Sequence, residues 1–269
     1  MPPLLKGLEF KILPWYSGQQ LGRFFLFVDE AMKRNYPIDT TNPVLDQDLL
    51  RQIVFHEAGH AAAIHLYNKQ KQLPPVYFQI TIKQTDHSHA KPFASRTVTR
   101  DHFVAMVEDG CLIQSMPITL IESANYFSLD EQDTYRTAFE ADMINLLVGP
   151  LAEAKHVALR DNECFNKNLI NVNALHNYGG TSDLEKVYEY LKNFISDTSL
   201  HEEKIAELFN QAFQFIDLPV YWQAIERLAG YILDNTKNTI GCEEAIAVLD
   251  ESTTLLGRTF SGYLKLFHH

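Results

Sequence analysis

At 269 residues, 46% hydrophobic and 21% charged, the chain is long enough to bury the core of one large domain, or of one domain with a helical appendage. Its 34 acidic against 23 basic side chains give a net charge of −11, a field that repels phosphate backbones and anionic headgroups and so argues against nucleic acid as a partner. Cys111, Cys164 and Cys242 are odd in number and lack close pairing, which speaks against a disulfide framework or a thiolate zinc site and predicts a reducing, cytoplasmic compartment.

Residues 1–47 read as an aromatic-rich lead-in, with a helix over Leu21–Asn35 that stops before Pro37. No run reaches the roughly 18 apolar residues of a membrane span. Phe24 to Val28 is short and flanked by charge, and Met1-Pro2-Pro3-Leu4-Leu5-Lys6 lacks the arrangement of an export signal. From Asp48 to about Asn68 the stretch is free of proline and rich in alanine, which predicts an unbroken helix. Pro74-Pro75 then breaks the chain. Val76, Phe78, Ile80 and Ile82 alternate with Tyr77, Gln79, Thr81 and Lys83, the period of a half-buried strand.

Residues 84–130 follow no single period and read as an inserted region of loops and short strands. Ser128-x-x-Glu131 has the form of a capping box, opening a helix expected to run to Val148, where Gly149-Pro150 interrupts it, and a further helix is expected over Leu151–Leu159. After an asparagine-rich loop, Gly179-Gly180 makes a turn and Ser182-x-x-Glu185 offers a second capping box. The helix behind it puts Leu184, Val187, Tyr188 and Leu191 on one face. Two more follow by the same logic, with Ile205, Leu208, Phe209, Ala212 and Phe213, then Trp222, Ile225, Leu228, Ala229 and Ile232. The fold class expected is mainly α (α+β): a core over 48–195 with a small sheet beside the site helix, and a C-terminal helical bundle over 196–269. No Gly-rich phosphate loop and no internal repeat are present.

The chemistry is concentrated in His56-Glu57-Ala58-Gly59-His60. Two histidines four apart share one side of a helix and can converge on one ion about 2 Å from each. Glu57 is turned about 100° round the helix, so its carboxylate can reach a water on the ion rather than the ion itself. Leu50, Ile53, Val54, Ala61 and Ile64 form a stripe with Glu57 in its middle, and the opposite side carries Phe55, Gly59, Ala62 and Leu66. The helix therefore has no polar face to solvate these three groups. A carboxylate buried beside two imidazoles is costly unless it is paired or placed by a metal.

A catalytic zinc ion takes three protein ligands and leaves one position open. Two downstream carboxylates are candidates, Glu153 in Gly149-Pro150-Leu151-Ala152-Glu153 and Asp183 in Gly179-Gly180-Thr181-Ser182-Asp183-Leu184. An acidic residue in a first helical turn is also favoured by the helix dipole alone. His87 and His89 lie in a polar loop and read as solvated, and the cysteines as buried small side chains or free thiols. His176 and Tyr178 are candidates for stabilising an oxyanion.

These segments resemble the peptidase domain of the FtsH family of zinc proteases. His56 to Ala61 match the family's His-Glu-Ala-Gly-His-Ala helix, and Gly149, Ala152 and Glu153 are similar to its Gly-x-x-Ala-Glu segment. Gly179 to Leu184 look like its Gly-Ala-x-x-Asp-Leu turn, whose aspartate is the third ligand. The resemblance spans roughly Asp48 to Leu249, with Trp222 to Ala229 and Glu243 to Leu249 similar to the closing helices. It implies Zn2+ held by His56, His60 and Asp183, Glu57 as general base, and Glu153 as a partner behind the histidines. It also implies a polypeptide substrate, which could add as a strand to Val76–Lys83 were that an edge strand. No counterpart of the family's ATPase module or membrane anchor is read here, the stretch between His60 and Glu153 is longer, and Pro150 stands where the family has a helix-compatible residue. The expectation is therefore an ATP-independent peptidase acting on unfolded or exposed segments, alone or with a separate unfolding partner. Its rival is an inactive relative that serves as a zinc-containing binding or scaffold module.

Overall fold

The computed structural model describes residues 43–82, 105–113 and 128–266. The lead-in helix over Leu21–Asn35, the His87/His89 loop and most of the inserted region lie outside these residues. Helix α1 (Pro43–Ala62) passes into a π-helical turn (Ala63–Tyr67) and a final turn (Asn68–Gln70), so the expected helix exists but changes its winding just after His60. Strand β1 (Phe78–Ile82) follows, then β2 (Ala105–Asp109), α2 (Leu129–Arg160) and a 3-10 segment (Val172–Tyr178). The rest is α3 (Thr181–Phe194), α4 (His201–Asp217), α5 (Pro219–Asp234), the short β3 (Thr239–Gly241) and α6 (Cys242–Leu266). The described chain is thus mainly helical with one small antiparallel sheet. No helix among the described residues is long and apolar enough to cross a membrane.

Apart from Tyr188, which is half-buried against the core, the apolar faces expected for the three helices after Gly180 are the faces that are buried. Leu184, Val187 and Leu191 of α3, Ile205 to Phe213 at the expected positions of α4, and Trp222, Ile225, Leu228, Ala229 and Ile232 of α5 join one hydrophobic cluster. That cluster also takes in Ile53, Val54, Ala58 and Ala61 of α1 and Leu146, Leu147 and Leu151 of α2. Helix α1 is buried on both sides, as its lack of a polar face demands.

Three local expectations are corrected. Helix α2 does not stop at Gly149-Pro150 but runs through it for 32 residues, opened by the Ser128/Glu131 capping box. Proline removes one backbone donor from a helix interior. Here the flanking turns are buried on α1, and Pro150 itself packs under the Gly180 turn: a Cβ at Gly180 would sit 2.8 Å from Pro150 Cβ. Helix α3 starts at Thr181, with Gly180 rather than Ser182 as its N-cap. Gly179 takes the left-handed φ of 73° that closes the preceding 3-10 turn, which a side chain would resist.

The third correction concerns the sheet. Its order is β2-β1-β3, so β1 is the central strand, paired with β2 from Phe78↔Asp109 to Ile82↔Ala105 and with β3 through Gln79↔Gly241 to Thr81↔Thr239. Both of its hydrogen-bonding edges are taken. A substrate cannot add to it.

Candidate metal centre

Helix α1 lies so close on α2 that a Cβ at Gly59 would be 2.7 Å from Ala152 Cβ and 3.0 Å from the Val148 carbonyl. This contact sets His56 and His60 against the residues of α2 that hold their rings. His56 Nδ1 lies 3.1 Å from Glu153 Oε2 and 3.2 Å from the Tyr178 carbonyl, and His60 Nδ1 lies 2.8 Å from the Asn145 carbonyl. All three partners are acceptors, so each Nδ1 carries the hydrogen and donates it. Both Nε2 atoms are thereby turned the other way.

Where the two Nε2 atoms converge stands Asp183, in the first turn of α3. Its Oδ2 is 3.2 Å from His56 Nε2 and its Oδ1 is 3.5 Å from His60 Nε2. The ligand atoms of His56, His60 and Asp183 all lie within 4.8 Å of one another, in a group that can hold a metal ion. His56, Glu57 and His60 are 1% exposed and Asp183 is 2% exposed. Asp183 Oδ2 is buried and, apart from the ion pair it makes at 3.2 Å with a protonated His56, meets no hydrogen bond. A buried carboxylate oxygen left in that state is costly, and an ion between it and the two imidazoles would satisfy it.

The electrostatics describe the same set of charges. Burial disfavours a charged imidazole at both histidines. At His56 the carboxylates of Asp183 and Glu153 outweigh it, with Glu57 adding to them, and the ring is pushed up to about 9. At His60, where the Nδ1 partner is a neutral carbonyl, burial prevails and the ring is brought down to about 4. Without an ion, then, His56 holds a proton that a metal would have to displace.

Of the residues singled out in the sequence, His56, His60 and Asp183 are brought together. Glu153 stands behind His56, on the nitrogen that faces away from the others. Glu57 accepts the Val107 main-chain N–H at 2.7 Å through its Oε2. Tyr178 contributes its carbonyl, and His176 is exposed, with Nδ1 3.3 Å from Thr181 Oγ1. The three cysteines are free and none belongs to the group. Sequence reasoning missed Asp142, Asn145 and Val107. A signal existed for the first two: they are polar side chains three apart in the otherwise apolar run of α2 from Ala141 to Val148. Asn145 also donates through Nδ2 to Asn68 Oδ1 at 3.4 Å, tying α2 to the end of the site helix. Gly149 is a matter of space, since a Cβ there would fall 2.3 Å from His60 Nε2.

No family model matches the chain, and no curated protein matches it at a significant level.

Proposed function

We propose that the chain is a zinc-dependent, ATP-independent peptidase of the FtsH-peptidase kind, acting on unfolded or exposed polypeptide segments in a cytoplasmic compartment. The observation that carries this reading is the convergence of His56 Nε2, His60 Nε2 and an otherwise unsatisfied Asp183 oxygen, with Glu57 next to His56 on the same helix. Two imidazoles and one carboxylate are the donor set of a catalytic zinc site with a position left over. When bound, zinc supplies Lewis acidity and lowers the pKa of water to about 7.

The chain's own groups do the rest. Glu153 and the Tyr178 carbonyl hold His56, and the Asn145 carbonyl holds His60, so both rings are oriented with Nε2 toward Asp183. Glu57, its Oε2 held by Val107, is the group placed to take a proton from water and return it to the leaving amine. The pattern His56 to His60, the Gly149-to-Glu153 segment and the Gly179-to-Leu184 turn support the family resemblance.

One observation favours a second reading. In this conformation all four site residues are between 1% and 2% exposed, which also suits a zinc-containing binding module. Zinc content measured alongside digestion of casein separates the two. The peptidase reading expects about one zinc per chain by the three-ligand donor set, cleavage by the native protein, and a Glu57→Gln variant that keeps its zinc and cuts nothing. Zinc-loaded native protein that leaves casein intact would support the binding module. Protein purified gently without zinc, and unable to take it up, would defeat both.

A further inference from the structure

Helix α2 presents four positions to the site: Asp142, Asn145, Gly149 and Glu153. Their spacing of three, four and four residues keeps them on one face of the helix. Three of them act on the histidines: the Asn145 carbonyl holds His60, Gly149 leaves room for its ring, and Glu153 holds His56. The fourth, Asp142, is 2% exposed and makes its hydrogen bonds elsewhere.

Its carboxylate instead gathers the chain that leaves β2. Leu112 N–H donates to both oxygens, at 2.9 and 3.0 Å, and Ile113 N–H donates to Oδ2 at 2.8 Å. Tyr190 of α3 closes the clasp from the other side, its hydroxyl donating to the Ile113 carbonyl at 3.1 Å and lying 3.4 Å from Asp142 Oδ2. Between β2 and this clasp the backbone turns through two consecutive left-handed residues, Asp109 at φ 64° and Gly110 at φ 89°. Aspartate tolerates that region better than most residues, and glycine adopts it freely. Gly110 is held there, its N–H donating to the Tyr77 carbonyl at 3.1 Å, and a Cβ at Gly110 would fall 2.5 Å from Ile64 Cδ1 on the π-helical turn behind His60.

What the clasp holds in place is β2, and β2 reaches Glu57. Val107 is paired with Ile80 of β1, but its N–H is turned away from β1 and donates to Glu57 Oε2 at 2.7 Å. That bond anchors one oxygen of the carboxylate.

We infer that Asp142 is a positioning residue for Glu57: by clasping the Leu112 and Ile113 N–H groups it fixes β2 so that the Val107 N–H meets the Glu57 carboxylate. One face of α2 thus orients all three residues of the His56-Glu57-His60 set, two of them directly and the third through a strand. The role of Glu57 as base rests on the peptidase reading, but the placement of its carboxylate does not.

The test begins on metal-free protein, with amide hydrogen exchange followed residue by residue by NMR. Asp142→Asn replaces one accepting oxygen with a donor and should speed exchange of the Val107 amide by about 10- to 100-fold, the loss of one charge-assisted hydrogen bond. The amides of β1 should be unchanged. Tyr190→Phe, which removes a single hydroxyl, should move Val107 in the same direction by less, and it serves should Asp142→Asn fail to fold. With zinc and a casein substrate, Asp142→Asn should lower kcat about tenfold at unchanged KM and unchanged zinc content, as expected of a misplaced catalytic group. An unaltered Val107 amide, or exchange that rises equally across β1, would overturn the inference. A native protein that cuts nothing would instead defeat the peptidase reading and leave the exchange result standing.

Discussion

Replacing Gly149 by alanine tests the site through space alone. The new Cβ would lie 2.3 Å from His60 Nε2, 2.4 Å from Cε1 and 2.7 Å from Cδ2. Carbon atoms at rest stand about 3.5–4.0 Å apart, so the ring must retreat by about 1 Å or its helix must move. The ring cannot pivot freely, because Nδ1 is held 2.8 Å from the Asn145 carbonyl and the residue is 1% exposed. A zinc–nitrogen bond of about 2.0–2.1 Å does not stretch to follow it. Changes that act only behind a ligand cost about 10- to 100-fold in metal affinity, and displacement of the ligand itself should reach at least the upper end. The cost to the fold is smaller. Overpacking costs about 1–3 kcal/mol, and alanine in a helix interior returns roughly 1 kcal/mol. Zinc affinity by competition with a chromophoric chelator, read beside urea unfolding of the metal-free protein, separates the two effects. Gly230→Ala is the control, since nothing lies within 4 Å of a Cβ there, and it should leave zinc binding untouched. A Gly149→Ala protein that binds zinc as the native chain does would refute the placement of His60.

Metal-free protein should lose stability as pH rises. His56 titrates near 9 in the fold against 6.5 unfolded, so the stability its proton contributes is fully present below pH 6.5 and gone above 9. At about 1.4 kcal/mol per unit this is at most about 3 kcal/mol. Unfolding by urea across that window should show the fall in the native chain and not in His56→Gln, and equal curves would count against the pairing. Glu153→Gln keeps an acceptor for His56 Nδ1 but removes the charge, and zinc affinity should drop about 10- to 100-fold by chelator competition; an unchanged affinity would show that Glu153 does not support the ring. Lys155→Met should cost about 1–3 kcal/mol in urea unfolding without changing zinc content. It removes the Nζ donor 2.8 Å from the Ile216 carbonyl and the ammonium 4.9 Å from the Trp222 ring centre. Loss of zinc from that variant would mean the far end of α2 reaches the site.

The parts legible in the sequence were those set by local period. The faces of α3, α4 and α5 follow from apolar spacing, and the burial of α1 follows from its lack of a polar side. What was not legible depended on distant partners. Pro150 is a helix breaker by local chemistry, yet α2 runs through it, with α1 packed on one side and Gly180 on the other. The central place of β1 was not legible because β3 is a three-residue strand, Thr239–Gly241, with no alternation of its own to announce it. For the site, spacing alone paired His56 with His60 but could not choose between Asp183 and Glu153, which the resemblance weighed and the geometry separates by nitrogen. Val107 enters through its backbone, so no side-chain pattern could have revealed it.

Glu153, Asn145 and Tyr178 hold the two imidazoles from behind, each through Nδ1, so the protein's own groups set the direction in which both Nε2 atoms face. The core that encloses them is continuous and apolar. The small domains whose folding free energy is their metal-binding free energy lack a core of that extent, so removal of the ion should leave this fold standing. Metal exchange would be gated by access to a buried site, with its slow step the opening of the fold and not the assembly of ligands.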